Sequence, residues 1–359
     1  AEGLHAWVAV AGDGEVVGHV MVQGTAPTAS VTRLFVAPSA RGQGLGARLL
    51  NRARQWAADH GIDLDLEVTA DERSSAIALY ERTGWRRTGT EQASWTGPSG
   101  EPVLLHRYVL QRDQQLAGGV NTVTRIGNRV HRPAGEWTPA VQALLKHLES
   151  KGFTAAPRAH GLDAEGREIL DFIPGEVPTS EAHVTDEALS EVAVMLRAFH
   201  DATLDFTPPP DVAWHFAPRA PAEVVCHGDV APYNTVFRDG RPVALIDFDT
   251  AHPAPRVWDV AYAAYRFVQL VEDGVPAAEQ ARRLALFADA YGLSGTDRGF
   301  LIDTAIARLH HLVDFMRAQA AAGHPAFSRH VAEGHDAYYL RNVEHIRRHR
   351  GVFEAAVRP

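Results

Sequence analysis

Two short segments hold side chains suited to moving a phosphoryl group. The first reads Val225-Cys226-His227-Gly228-Asp229-Val230-Ala231-Pro232-Tyr233-Asn234, and the second Leu245-Ile246-Asp247-Phe248-Asp249. Asp229 is a carboxylate able to accept the proton of an attacking hydroxyl. Asn234, through its amide oxygen, and Asp247, through its carboxylate, are hard oxygen donors of the kind that hold a magnesium ion (Mg2+) against nucleotide phosphates. The five-residue step from Asp229 to Asn234 lets one loop carry base and metal ligand together. Asp249 reads either as an auxiliary metal ligand or as a solvated acid.

A third segment, Arg41-Gly42-Gln43-Gly44-Leu45-Gly46, runs from a strand into a helix. Its alternate glycines let successive N–H groups point at one spot, reinforced by the positive end of the helix dipole. This is a cradle for a phosphate-bearing ligand; the plain alternative is a tight turn.

The elements that must position these loops follow from apolar spacing. Alternation over 7–10 and 16–22 around Gly12-Asp13-Gly14 predicts a hairpin, followed by a strand over 31–36. Leu45, Leu49, Leu50, Ala53, Trp56 and Ala57 form a helical stripe that His60-Gly61 stops. A strand over 64–68, a helix over 74–82 and a last strand over 103–110 complete this part. Residues 111–120, polar and then Gly-Gly, read as a linker. Beyond it, short strands are expected over 123–126 and 129–131, a helix over 139–150 and a strand over 168–173. A helix over 186–202 follows, with Leu189, Val192, Leu196 and Phe199 inward. Short strands over 223–226 and 243–246 flank the first loop. From Trp258 the pattern is helical, with helices over 279–291 and 299–317 and a helical tail. Domains are therefore set at 1–112 and 121–359, with a linker at 113–120.

Composition narrows the function. The chain has 359 residues, 45% of them apolar and 22% charged, an ordinary balance for a water-soluble protein of two or three domains. Its single cysteine, Cys226, excludes an intramolecular disulfide framework and a Cys-rich zinc site and fits a reducing, cytoplasmic setting. On a strand before the loop, Cys226 reads as a small buried apolar residue. The 19 histidines show no common metal spacing. No apolar run reaches the roughly 18 residues of a membrane helix, and no leader is visible. The formal charge of −9 argues against a nucleic-acid partner. Residues 1–112 carry 11 basic and 12 acidic side chains and the remainder 24 and 32, so −8 of the charge lies in the second part. That part suits a cationic, amine-bearing small molecule.

The run of hairpin, strand, Arg41 to Gly46, helix and strand, then Ala76-Ile77-Ala78-Leu79-Tyr80 and Gly84-Trp85, resembles the GNAT family of acetyl-CoA-dependent N-acetyltransferases over roughly 5–110. The resemblance implies an acetyl-CoA donor and a primary-amine acceptor. It implies that the amides of Gly42, Gln43, Gly44, Leu45 and Gly46 hold the CoA pyrophosphate and that Arg41 caps the loop. Tyr80 stands where the family often places the acid that protonates the leaving thiolate; otherwise it is an aromatic packing its short helix. The amine must lose a proton, and Glu67 is a candidate base, as is an ordered water; otherwise Glu67 is a solvated or sheet-edge carboxylate. The chain opens near the hairpin that in the family follows a strand and two helices. That part is either shortened or lies before Ala1.

The second part, with Asp229, Asn234 and Asp247 in their loops, resembles the aminoglycoside phosphotransferase and related kinase-fold family over roughly 121–359. The phrase from Cys226 to Val236 looks closer to bacterial trifolitoxin-immunity-like relatives. The fold class implied is α/β (α+β): a GNAT-like mixed sheet with helices, then a two-lobed protein-kinase-like fold, N-lobe 121–175 and mostly helical C-lobe 176–359. ATP and magnesium are the implied cofactors. Residues 170–175 resemble the lobe-connecting hinge, Asp259 the acid that braces the loop, and His227 a residue that orients it. That fold uses a strand lysine on the α and β phosphates, paired to a helix glutamate. Here the only lysines are Lys146 and Lys151. Arg132 is the expected substitute and Arg129 the alternative; the helix from Pro139 shows Gln142 and no glutamate in its first turns, with Glu136 before it and Glu149 near its end. The expectation is an enzyme that acetylates an amine and phosphorylates a hydroxyl of a small molecule, in antibiotic resistance or self-immunity. Its rival is a non-catalytic immunity module on a kinase fold, with a CoA-binding domain.

Overall fold

The computed structural model describes residues 3–71, 74–98, 100–110, 114–116, 123–179 and 184–358. Cα packing divides the chain into two compact units, Ala1–Arg132 and Pro133–Pro359.

The first unit is built on a six-stranded sheet. Its elements are β1 (Gly3–Val10), β2 (Val16–Thr25), β3 (Thr28–Val36), α1 (Leu45–His60), β4 (Asp63–Thr69), α2 (Ser75–Arg82), β5 (Trp85–Thr96) and β6 (Pro102–Leu110). The strand order is β1-β2-β3-β4-β6-β5, and β3 and β4 run parallel while the other neighbours are antiparallel. Leu49, Leu50, Ala53 and Ala57 of the expected helical stripe are buried, against Val20, Val22, Leu64, Leu66 and Tyr108. The edge strand β5 is absent from the sequence expectation. It is polar and mostly exposed, so no apolar alternation marks it, and pairing with β6 creates it. Part of the expected linker is also a strand. β7 (Gln114–Leu116) pairs with β8 (Val123–Ile126), which pairs with β9 (Arg129–Arg132) in an antiparallel meander. Residues 111–113 and 117–122 lie outside the described residues. The β8–β9 turn is close to the first sheet's chain, since a Cβ on Gly127 would stand 2.6 Å from Gly84 Cα.

The second unit is mostly helical. It comprises α3 (Thr138–Ser150), β10 (Ala159–Leu162), β11 (Glu168–Asp171), α4 (Asp186–Ala202), β12 (Val224–Cys226), β13 (Thr235–Arg238), β14 (Arg241–Leu245), β15 (His252–Ala254) and α5 (Arg256–Ala264). A π-helical turn, Tyr265–Gln269, continues α5. Then come α6 (Ala277–Tyr291), α7 (Gly295–Ala321), α8 (Pro325–Ala332), α9 (His335–Arg348) and α10 (Arg350–Val357). Helix α4 matches its sequence expectation and is capped by Thr185, whose hydroxyl accepts the Ala188 N–H at 3.2 Å. Its Leu189, Val192, Leu196 and Phe199 are fully buried, as their spacing requires. Helices α4 and α6 pack together, as do α5 and α7.

Two antiparallel ribbons hold the loops in this unit: β12 pairs with β15, and β13 with β14. The sequence reading missed β13, although Asp239-Gly240 after it marks the turn. Both residues have positive φ, 51° and 75°, as a two-residue hairpin turn demands. The core joins α3, α4, α5, α6 and α7 through Leu144, Leu196, Phe287 and Leu309, among others. Leu309→Ala is expected to cost about 2–5 kcal/mol, read as a lower urea midpoint with an unchanged slope.

Candidate functional site

In the first unit, β3 ends at the glycine loop. Thr32 pairs with Met21 and Phe35 with His19, so Arg33 and Leu34 both stand opposite Val20. This is a β-bulge, and Arg33 sits in it at φ 52°. The parallel ladder between β3 and β4 covers only Thr28–Ser30 against Asp63–Asp65 among the described residues. A bulge bends its strand, so the C-terminal ends of β3 and β4 part just before the loop that follows β3.

That loop enters α1 through two left-handed glycines, Gly42 at φ 77° and Gly44 at φ 72°. A Cβ on either would meet nothing within 4 Å, so the backbone angle and not space calls for glycine. Gly44 caps α1 with no side-chain bond, and no acid lies in the first turn. The free N–H groups there suit an anion such as a pyrophosphate. Gly46 does something different: its Cβ would come 3.0 Å from Leu79 Cδ2, so it lets α2 pack close. Arg41 Nε donates to Val36 O at 3.3 Å, tying the loop to the end of β3. Gln43 and Leu45 complete the turn.

Tyr80 and Glu67 are not brought together. Tyr80 is buried on the Leu66 and Tyr108 face, its ring 6.2 Å from Trp85 and 6.0 Å from Tyr108. Burial pushes its phenol up, so it keeps its proton at neutral pH. Glu67 alternates with Leu66 along β4 and so points to the opposite face, where it is exposed. There it accepts a 2.9 Å bond from Arg107 Nε.

In the second unit, the loop after β12 is braced from beneath by Asp259. This carboxylate is buried, and it accepts the His227 N–H at 2.7 Å and the Gly228 N–H at 2.9 Å. It also accepts from His200 Nε2 at 3.1 Å. His200 Nδ1 must then accept from Tyr291 Oη at 2.7 Å. Burial pushes Asp259 up and His200 down. For Asp259, the bonds from His200 and the loop outweigh burial and hold the carboxyl at about 2. Arg308 donates to Gly228 O from α7. Gly228 has φ 85°, and a Cβ there would stand 2.4 Å from Thr250 O, so both angle and space exclude a side chain. His227 Nε2 bonds Ile246 O at 3.0 Å, leaving Nδ1 to accept the Asp229 N–H at 3.3 Å.

Asp229 is half-buried at the top of this loop. Asn234 Nδ2 donates to Asp229 Oδ2 at 2.8 Å and to its main-chain O at 3.0 Å. With Nδ2 spent, the Asn234 Oδ1 atom is left for a cation. Ile246 N–H donates to Asn234 O at 2.9 Å, which brings the start of the second loop beside the first. The next residue, Asp247, is exposed and adopts φ 65°, ψ 66°, a left-handed conformation that occurs at functional turns. The Ile246 bond thus sets the two loops side by side, with Asp229 and Asn234 joined on the first and Asp247 at the head of the second; carboxylate and amide oxygens are donors of the type magnesium takes. Arg132 is buried at the end of β9. Gln142 pairs with Glu168 at 3.2 Å, both buried.

Among the described residues, His200, Cys226 and Asp259 alone group as three metal-type ligands. His200 and Asp259 are engaged in the brace, while burial keeps the Cys226 thiol protonated, and it contacts Pro255 O at 3.4 Å. The sequence reading missed three contributors. Tyr233 lay in plain view inside the motif, its hydroxyl 2.8 Å from Asp229 Oδ1. Arg308 and His200 carried no local signal, since only helix packing delivers them.

These two sites define a glycine-loop acyltransferase-type unit and a unit with a phosphotransferase-type loop. Residues 1–85 match the Acetyltransferase (GNAT) family, and residues 211–301 the Phosphotransferase enzyme family. A trifolitoxin immunity protein of Rhizobium leguminosarum bv. trifolii is 35% identical over 254 residues, covering 67% of this chain and 96% of that protein. The chain belongs to the family of that immunity protein, with a phosphotransferase-family domain in its second part and a GNAT acetyltransferase family domain in front. A streptothricin acetyltransferase of Streptomyces lavendulae is 35% identical over 98 residues, 26% of this chain and 51% of that one. The chain thus spans about half the length of that relative. The solved ribosomal-protein-S18-alanine N-acetyltransferase from Escherichia coli is 24% identical, over 32% of this chain and 72% of that one, with a TM-score of 0.28. No helix among the described residues is long and apolar enough to cross a membrane.

Two outcomes follow. Gly44→Val forces a branched side chain into φ 72°, at about 1–2 kcal/mol, and turns the N–H groups from their common target. CoA affinity measured by calorimetry should fall below detection. Asp259 has a folded pKa below its free value, so its stabilisation is full above about pH 4 and drains as pH falls through about 2. Urea titrations should show the wild type losing about 2 kcal/mol over that window that Asp259→Asn does not lose.

Proposed function

We propose that the chain is a bifunctional transferase that modifies small amine-bearing molecules in the cytoplasm, as resistance or self-immunity. The domains run over 1–112 and 121–359. The second phosphorylates a hydroxyl with ATP; the first acetylates an amine with acetyl-CoA. The observation that carries this reading is the hydrogen bond that fixes the Asp229 carboxylate to Asn234 through the amide nitrogen and not the amide oxygen.

In the phosphotransfer step, Asp229 accepts the proton of the acceptor hydroxyl as its oxygen bonds the γ-phosphorus and the bond to the β-phosphate oxygen breaks. Asn234 and Asp247 would hold magnesium, which supplies charge neutralisation on the phosphates when bound. Arg132 supplies the phosphate contact ordinarily made by lysine. The −8 charge of the second part favours a cationic acceptor. In the first domain, the N–H groups of residues 42–46 hold the pyrophosphate. Tyr80 returns a proton to the thiolate. The Glu67 carboxylate faces away from Tyr80, so as a base it would act through water. The streptothricin acetyltransferase relative supports an amine-bearing antibiotic as acceptor class.

A second reading has one observation in its favour. Neither lysine serves as a phosphate clamp: both lie at α3 or its end, and Lys151 is tied to Asp205. A non-catalytic immunity module would tolerate that. Transfer from γ-labelled ATP to a panel of amino alcohols separates the two. Asp229→Asn is expected to lower transfer by about 10²–10⁴-fold and to leave Mg-ATP affinity, measured by calorimetry, within a few-fold. Full biological protection by Asp229→Asn would sink the phosphotransfer reading.

A further inference from the structure

The tyrosine beside Asn234 has a hydrogen-bond geometry that leaves one direction only. Tyr233 Oη lies 2.8 Å from Asp229 Oδ1, and an ionised carboxylate can only accept, so Tyr233 donates. Its single proton is then committed. Tyr262 Oη, 3.1 Å from Tyr233 Oη, must therefore donate to it. The result is a directed chain, Tyr262 to Tyr233 to Asp229, meeting the bond from Asn234 on the other carboxylate oxygen.

The chain is held from its sides by two arginines. Arg266, buried in the π-helical turn after α5, stands 5.2 Å from the Tyr233 ring centre. Arg308 stands 4.4 Å from the Tyr262 ring centre and also donates to Gly228 O, one residue before Asp229. Cations over phenol faces make the hydroxyls stronger donors and fix the rings. Packing alone would be served equally by phenylalanine; here the hydroxyl ends on the carboxylate that takes the substrate proton.

We propose that Tyr233, itself held by Tyr262, is a positioning residue that locks the Asp229 carboxylate plane toward the acceptor hydroxyl. With one oxygen tied to Tyr233 and the other to Asn234, the carboxylate cannot rotate, and each oxygen keeps one lone pair for the incoming proton. The acceptor hydroxyl therefore meets a base already oriented. This role rests on the phosphotransfer reading of the same loop, but the lock itself is a property of the resting protein.

The test uses the full chain with Tyr233→Phe and Tyr262→Phe. The first readout needs no turnover: the rate at which a water-soluble carbodiimide labels Asp229, followed by peptide mass spectrometry. Freed of one donor, Asp229 should label several-fold faster in Tyr233→Phe and by a smaller factor in Tyr262→Phe. The second readout is phosphate transfer, where kcat should drop about 10–100-fold in Tyr233→Phe, as for loss of a hydrogen bond to a charged group, with KM for ATP within about twofold. Unchanged labelling at Asp229 in both variants overturns the proposal. So does a kcat that falls only with the folded fraction. If Tyr233→Phe fails to fold, Tyr262→Phe keeps every ring of the loop and carries the same comparison. Faster labelling in a chain whose wild type transfers no phosphate upholds the lock and defeats the phosphotransfer reading.

Discussion

The buried carboxylate of Asp259 is the constraint on which the second unit's site depends. A buried charge is expensive unless its lone pairs are satisfied. Here they are met by two consecutive loop N–H groups and one imidazole. Those two N–H groups can converge only if the chain turns at Gly228 with positive φ and no side chain, against Thr250. The same turn lifts Asp229 above the brace. Stability and chemistry thus share one set of bonds, and the brace reaches back through His200 to Tyr291.

Above the brace, the Asp229 carboxylate is held at both oxygens, by Tyr233 and by Asn234, and the Ile246 N–H bond to Asn234 O sets the loop of Asp247 beside it. Asn234 commits its amide nitrogen to Asp229, at both the carboxylate and the main-chain oxygen. Asp247 reaches solvent through an uncommon left-handed backbone at the end of β14. Residual strain of this kind persists where surrounding structure over-determines it. In the first unit the comparable device is a bulge, which parts two parallel strands beside a helix N-terminus. Both units therefore aim backbone N–H groups, one at a carboxylate within the protein and the other at an open end.

Much of this was legible in the residues. The stripe of α1, the span and inward face of α4 and the three loop motifs all follow from local spacing. The strand β5 was not legible, because a polar edge strand carries no apolar alternation, and β13 was overlooked despite its Asp239-Gly240 turn. The expected linker proved to contain β7, which exists only because β8 pairs with it.

By itself the sequence determined which residue types stand at each loop and where α3, α4 and α6 lie to within two residues, while α7 runs four residues further at each end than its spacing suggested. Those features depend on backbone preference and on side chains a few positions apart. Tertiary structure decided which of them meet. It turned Glu67 away from Tyr80 across a sheet, and it brought Arg308 to Gly228 from 80 residues away. It also set the Tyr262 hydroxyl against Tyr233. The reason is physical: a strand's facing and a helix's placement are fixed by register and core packing over long range, which no local pattern encodes.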